Sequence, residues 1–285
     1  MDSKRLITDF LAYLENKKKR NWRTVRNYDF YLKKFLLWAE NNDLDELDKL
    51  TTEKINQYRK WLSGLKKFGR INKLGKSTQN YYLIAVRSFM KYLLAKKLTV
   101  FNYNKIKLEK VSRKADFIEK DDLNKLLEAP LKSTLSPIVQ ARDKAALELL
   151  AATGLRVSEI SALKKENHVH NLLKFQSGKF DRKIALDNQV EFYLKKYLNL
   201  RKDSNPYLFV SHDRAIKGRK NNLEIGLTPR SIERILTRYV ELAGIKNLVN
   251  PKTLRNTYIL ALAQSGLTKS ELRMLSGRKT VANLD

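Results

Sequence analysis

Cations stand at three points in the second half of the chain where a helix begins or a turn tightens. Arg156 follows Gly154 in ATGLRVSEISAL, a stretch that is otherwise mostly apolar or small. Burying an arginine there is costly unless it has an anionic partner. That partner is either a carboxylate of the protein itself, for which Glu159 is the candidate, or a bound phosphate.

A β-turn offers a second cation. In QSGKFDRK, Lys179 lies beside Gly178 at the expected tip of a hairpin, and Lys183 lies further along the return strand. A lysine on its flexible stem can reach a phosphate in a groove from such a turn. The same pattern also fits a lysine that is simply solvated.

The third point is the start of a helix in NPKTLRNTYILALA. Lys252 and Arg255 are three residues apart, so they share a helix face near the N-terminus. Helix N-termini favour anions, and two neighbouring cations there repel each other unless an anion such as a phosphate joins them. The alternative is a basic helix start that faces solvent.

Taken together, these residue types fit phosphodiester cleavage. The reaction develops charge on the non-bridging oxygens of a five-coordinate phosphorus, and two arginines with lysine donors can stabilise that charge without a metal. A lysine can also protonate the leaving 5′ oxygen. The histidines His168, His170 and His212 are scattered, and no third metal ligand is evident beside the first two.

The composition favours a nucleic-acid partner. Lys and Arg number 58 against 30 Asp and Glu, which gives the chain a formal net charge of +28. Such a surplus is best neutralised by a polyanion. The chain has no Cys, no signal-peptide pattern and no apolar run of about 20 residues, so we expect a cytoplasmic protein without disulfides or membrane association.

The elements that must position these cations are mainly α-helical. Residues 1–107 contain four amphipathic stretches with apolar residues at helical spacing, which predict a small helical domain. Residues 108–117 are basic without apolar periodicity and are predicted to be a linker. Residues 118–285 mix helices, including one over RVSEISALKKENH, with a β-hairpin that turns at Ser177–Gly178 and a short strand in PYLFVS.

These motifs resemble the tyrosine recombinase (phage integrase) family, close to its Xer-type site-specific recombinases. ATGLRVSEISAL resembles the box with the first catalytic arginine, SGKFDRKIAL the hairpin with the catalytic lysine, and NPKTLRNTYILALAQSG the box written His-x-x-Arg. LRMLSGR resembles the segment before the nucleophile. The resemblance implies an N-terminal helical, SAM-like core-binding domain and an α+β catalytic domain, together closing as a clamp around a duplex.

The resemblance also implies roles for single residues. Arg156 and Arg255 are expected to bind the scissile phosphate, and Lys179 to act as general acid, with Lys183 the weaker candidate. Lys252 stands where the family usually has His, and Arg278 stands at the family's second His or Trp position. Both keep a charged donor, although Lys252 is a poor general base. The family implies no metal or other cofactor, duplex DNA as partner and a homotetramer on two DNA sites, while a second recombinase as partner remains open.

The family's nucleophile is a tyrosine about ten residues after the position of Arg278, and no Tyr follows Tyr258 in this sequence. We therefore expect the nucleophile to lie beyond Asp285, and residues 1–285 to bind DNA without cleaving it. One alternative is a non-catalytic DNA-binding relative that keeps the phosphate pocket. Another is an unrelated basic, helical protein that binds nucleic acid, for instance RNA.

Overall fold

The computed structural model divides the chain into two compact units, Met1–Arg113 and Lys114–Asp285. It describes residues 3–44, 46–65, 73–98, 100–111, 116–177, 180–212 and 225–277. Within these residues no helix is both long and apolar enough to cross a membrane. The fold is mainly helical with one small antiparallel sheet, as the sequence predicts.

The first unit is built from four α-helices: α1 (Ser3–Asn16), α2 (Trp22–Glu40), α3 (Thr52–Gly64) and α4 (Lys76–Ala95). Their apolar stripes meet in one core, whose largest members are aromatic. The hydroxyl of Thr51 caps α3 by accepting a hydrogen bond from the backbone N–H of Lys54, at 3.2 Å. The described part of the first unit is therefore helical, as the sequence predicts.

The segment after α4 is bound to the first unit. The Asn80 side chain forms two hydrogen bonds with the backbone of Glu109, at 2.9 and 3.1 Å. The Glu109 carboxylate pairs with Lys76 at 2.9 Å and with Arg59 at 3.5 Å. The beginning of the predicted linker 108–117 is thus held against α3 and α4, and the division between the units falls within that segment.

The second unit holds α5 (Lys120–Glu128), α6 (Pro137–Thr153), α7 (Val157–Ala162), α8 (Asn188–Leu200), α9 (Pro229–Leu242), α10 (Pro251–Gln264) and α11 (Lys269–Ser276). Helix α6 is the centre of this unit, because α8 and α10 pack against it and most of its residues are buried. Asn250 starts α10 by accepting hydrogen bonds from the N–H groups of Lys252 and Thr253. Helices α6 and α10 thereby bring the two arginine motifs of the sequence together.

The sheet has strands β1 (His168–Val169), β2 (Leu172–Ser177) and β3 (Phe180–Ala185), in that order and antiparallel. Ser177 pairs with Phe180 at the end of the β2–β3 hairpin, as the sequence predicts. Within β3 alternate residues point inward, so Arg182 and Ile184 are buried while Asp181 and Lys183 are exposed. This alternation decides which cations of the hairpin can reach the interior.

Two predicted elements are wrong in detail. The helix predicted over RVSEISALKKENH ends at Ala162, and a short 3-10 turn follows at Lys165–Asn167. It ends because Leu163 is extended and its carbonyl accepts a hydrogen bond from the N–H of Leu208, at 2.8 Å. The PYLFVS segment that supplies this bond forms isolated bridges, Lys164 with Tyr207 and Val210 with Gly226, because it pairs with two different segments.

Candidate functional site

The site is built on the turn that ends α6. Gly154 adopts a left-handed conformation, with φ at 56°, and its N–H caps the helix by donating to the carbonyl of Leu150. A Cβ on Gly154 would lie 2.5 Å from Cδ1 of Tyr258, so the ring of α10 packs directly against the turn. The Gly154 carbonyl accepts a hydrogen bond from Nη1 of Arg255, at 2.8 Å. The two arginine motifs therefore meet at the turn that Gly154 forms.

Arg156 stands at the N-cap of α7 and is held by Glu159, one turn ahead. The Glu159 carboxylate accepts from the backbone N–H of Arg156 at 2.7 Å and from its Nη1 at 2.9 Å. The Nη2 of Arg156 donates to the carbonyl of Gly277, at 3.2 Å. The ion pair that the sequence left open is thus present, yet the Arg156 side chain is 47% exposed and can still meet a ligand.

Glu159 is shared by three arginines. Besides Arg156, its Oε2 lies 3.6 Å from Nη1 of Arg182 and 3.8 Å from Nη1 of Arg255. The carboxylate is only 10% exposed, so these interactions are weakly screened. Arg156, Glu159, Arg182 and Arg255, here called the arginine cluster, carry more positive than negative charge. Such an excess attracts an anion.

Arg182 is the member of the cluster that sequence reasoning missed. It lies on β3, is 6% exposed, and donates from Nη2 to the carbonyl of Leu275. Its guanidinium stands 5.3 Å from the ring centre of Phe175, the residue opposite it on β2. Burial lowers the pKa of Arg182, against the opposing pull of Glu159. The available signal was the alternation of β3, which places residue 182 on the same inward face as Ile184.

The structure brings together some of the predicted site residues and not others. Arg156 and Arg255 meet through Gly154 and Glu159. Lys252 is exposed in the first turn of α10, whereas Arg255, three residues later, is buried. Lys183 points away from the buried face of β3. Lys179 and Arg278 lie outside the described residues.

Tyr258 is part of the packing around the cluster. Its ring lies against Gly154, and burial raises the pKa of its phenol, although the positive charge of Arg182 acts in the opposite direction. A phenol with a raised pKa is a weaker source of phenolate. The geometry therefore supports a structural role for this tyrosine.

The histidines do not gather into a metal centre in the part of the chain that the structure describes. Nε2 of His168 lies 2.7 Å from the Glu191 carboxylate, and His212 lies 3.1 Å from the hydroxyl of Tyr197. No group of three or more His, Asp or Glu side chains is placed to hold a metal ion among the described residues.

Two family models match the sequence. Residues 116–284 match the phage integrase family, and residues 7–97 match the N-terminal SAM-like domain of phage integrases. The chain is similar to the tyrosine recombinase of Pseudothermotoga lettingae, with 28% identity over 98% of this chain and 91% of that protein. It is also 28% identical to tyrosine recombinase XerA of Pyrococcus horikoshii, over 97% of this chain and 86% of that one.

Solved structures share the fold. A lambda integrase dimer bound to a COC′ core site superposes with a TM-score of 0.74 and 16% identity, covering 100% of this chain and 94% of that one. XerH site-specific recombinase bound to palindromic difH, as a post-cleavage complex, superposes with a TM-score of 0.70 and 19% identity. That match covers 91% of this chain and 74% of the XerH chain.

Proposed function

This chain belongs to the phage integrase family, the tyrosine recombinases, and on that premise we propose that it binds duplex DNA and holds a backbone phosphate with Arg156 and Arg255. The carrying observation is the arginine cluster, in which three guanidinium groups share the carboxylate of Glu159. The exposed side of Arg156 gives a phosphate access to that excess charge. The net charge of +28 supports binding of a long polyanion around the site.

In the proposed chemistry the arginines stabilise the charge that develops on the non-bridging oxygens of the phosphate. Guanidinium groups suit this task because they remain charged and offer paired donors. Glu159 and the carbonyl of Gly154 hold the two guanidiniums before a substrate arrives, which lowers the cost of reorganisation. We assign Lys179 as general acid toward the leaving 5′ oxygen, and Lys252 and Arg278 as further phosphate donors.

The proposed reaction is site-specific strand exchange through a 3′-phosphotyrosyl intermediate, within a homotetramer on two DNA sites. Lambda integrase is known as a dimer bound to a core site and as a tetramer bound to a Holliday junction, which supports this arrangement. For residues 1–285 we propose binding without cleavage. The support is that no Tyr follows Tyr258 in the sequence and that Tyr258 is packed against Gly154.

Binding is tested with a duplex that the chain itself selects from a random-sequence pool. Affinity is then measured by fluorescence anisotropy over a range of salt concentrations. We expect Arg156→Ala to weaken binding roughly tenfold and to lower the salt slope by about one, because one charged phosphate contact is lost. Lys195→Ala is the control, since Lys195 is 63% exposed and lies outside the arginine cluster. Equal losses in both variants would contradict the assignment of Arg156.

Cleavage is tested on a nicked form of the selected duplex, which traps covalent protein–DNA adducts. We expect none from residues 1–285, and an adduct that disappears in Tyr258→Phe would overturn that part of the proposal. The same assay on a form that extends past residue 285 separates the two functions considered. An adduct there supports a recombinase, and its absence supports the second candidate, a non-catalytic relative, which the Lys and Arg at the family's His positions favour.

A further inference from the structure

Arg182 connects three parts of the second unit that are well separated in sequence. From β3 its guanidinium reaches the Glu159 carboxylate of α7 at 3.6 Å. It also donates to the carbonyl of Leu275 in α11. A Cβ on Gly277 would lie 3.3 Å from Nη1 and 3.4 Å from Cζ of Arg182, so the end of α11 rests on the guanidinium plane.

Arg182 itself is poorly placed to bind DNA. It is 6% exposed, Gly277 packs against its guanidinium, and the ring centre of Phe175 lies 5.3 Å from the guanidinium carbon. Within the described residues its Nε and Nη1 lack a hydrogen-bond partner. A buried charge of this kind is costly, and interactions with neighbouring groups must offset the cost.

The neighbours of Arg182 are the groups that hold Arg156. The Nη2 of Arg156 donates to the carbonyl of Gly277, and its Nη1 donates to Glu159. Arg182 touches both of these partners, because it pairs with the same carboxylate and supports the same turn. The direction of the half-exposed Arg156 guanidinium therefore depends on Arg182 through two contacts.

We propose that Arg182 is a positioning residue, which fixes Glu159 and the turn at Gly277 so that Arg156 faces the phosphate. This inference rests on the proposed function, since it assumes that Arg156 is the phosphate ligand. It adds that the hairpin and the end of α11 must both be docked before the arginine is in place. Arg182 transmits that docking without touching the DNA.

The experiment is a double-mutant cycle on the affinity for the selected duplex. The chain is compared with Arg182→Met, with Arg156→Ala and with both changes together. We expect Arg182→Met alone to weaken binding about as much as Arg156→Ala, roughly tenfold. The affinity of the double variant should lie within about twofold of the affinity of either single variant. Losses that multiply in the double variant, or an unchanged affinity in Arg182→Met, would overturn the proposal.

Two further measurements separate positioning from a general structural role. Arg182→Met combined with Lys195→Ala should show no coupling, because Lys195 is outside the arginine cluster. Arg182→Lys, which keeps the charge but cannot serve both partners at once, should recover part of the affinity. Coupling with the control, or no recovery with lysine, would overturn the positioning role in favour of a general structural one.

Gly277→Ala perturbs the contact between Gly277 and Arg182 without changing Arg182 itself. It replaces the Arg182 variants in the cycle if those fail to fold. Its new Cβ would lie 3.3 Å from Nη1, so the guanidinium must shift by a few tenths of an ångström, and the φ of 60° adds strain to the same turn. We expect a loss of affinity that is again not additive with Arg156→Ala. Additive losses would overturn the proposal. If Arg156→Ala alone leaves the affinity unchanged, the failure belongs to the proposed function, and that result is recognisable before any cycle is completed.

Discussion

The charged residues within α6, here called the α6 network, and the arginine cluster are two groups of charges in the described part of the second unit, and they are organised in opposite ways. In α6, Arg142 pairs with Asp143 at 2.7 Å, and Lys144 pairs with Glu148 at 2.9 Å. Each buried cation of this α6 network thus has a buried carboxylate of its own. In the arginine cluster, three cations share Glu159. A balanced network is complete by itself, whereas an unbalanced one is completed by an anion from outside.

Further contacts and the pKa shifts also distinguish the α6 network from the arginine cluster. Tyr239 donates to Asp143 at 2.9 Å, Gln189 donates to Glu148 at 2.9 Å, and Lys144 also reaches the carbonyl of Leu127. Burial disfavours the charged form of Lys144, but its hydrogen bonds to Glu148 and Glu128 outweigh burial and raise its pKa. In the arginine cluster, burial instead lowers the pKa of Arg182. We therefore expect changes in the α6 network to affect stability, and changes in the arginine cluster to affect anion binding.

The largest expected effect is on stability, in the α6 network. Lys144→Met should lower the free energy of unfolding by about 3–5 kcal/mol, because it leaves Glu148 charged and buried without its cation. Urea unfolding followed by circular dichroism measures the change. Adding sulfate should not restore the loss, and the double variant Lys144→Met with Glu148→Gln should recover part of it. A loss below about 1 kcal/mol would contradict the description of the α6 network as buried cations that each neutralise a buried carboxylate.

The next effect concerns the turn that joins the two arginine motifs. Gly154→Ala should cost roughly 2–5 kcal/mol, since a left-handed conformation and a clash with Tyr258 add together. Gly244→Ala is the matched control, because Gly244 has a φ of 67° but open space around it, and only the conformational cost of about 1–2 kcal/mol applies. Equal costs would show that the contact with Tyr258 does not define the site.

These comparisons also show how far sequence reasoning reaches. The helices of the first unit follow from their apolar stripes, and the hairpin follows from alternation around Ser177–Gly178, because one face of each element is buried. Helix starts and turns also mark Arg156 and Arg255 as candidates, but their meeting depends on the folded chain, since the bond from Arg255 to Gly154 spans 101 residues. The charges of α6 do not follow, because α6 is surrounded by other helices and shows no stripe that separates inside from outside.

Arg182 shows the complementary limit. Alternation along β3 places Arg182 on the inward face. A cation at an inward position argues against that register unless its partners are known. Those partners, Glu159 and Leu275, lie 23 residues earlier and 93 residues later, and only the folded chain brings them together. Contacts over such separations depend on packing rather than on local pattern.

A smaller effect should distinguish the two groups most directly. Glu159→Gln removes the shared carboxylate and should lower the free energy of unfolding by about 1–3 kcal/mol at low salt, because three guanidiniums then repel one another. Sulfate should restore much of this loss by binding to the folded form. Lys144→Met, measured in the same series, is the control that sulfate should not rescue. Equal rescue of both variants would indicate a general salt effect.

The smallest effect is the dependence of stability on pH at Glu191, a partly shielded carboxylate on α8. Burial disfavours its ionisation, but the contact with His168 at 2.7 Å and the ion pair with Lys195 at 3.0 Å outweigh burial and hold its pKa below the ordinary value of 4.5. A carboxylate with a lowered pKa in the folded state contributes stability above its unfolded pKa and loses it as the pH falls through the folded pKa. We therefore expect the free energy of unfolding to decline below about pH 4.5, and the decline to be shallower in Glu191→Gln.

Because Glu191 has its cations beside it, as the carboxylates of the α6 network do, sulfate should leave this difference between the two proteins unchanged. A difference that vanished in sulfate would place Glu191 with the arginine cluster instead.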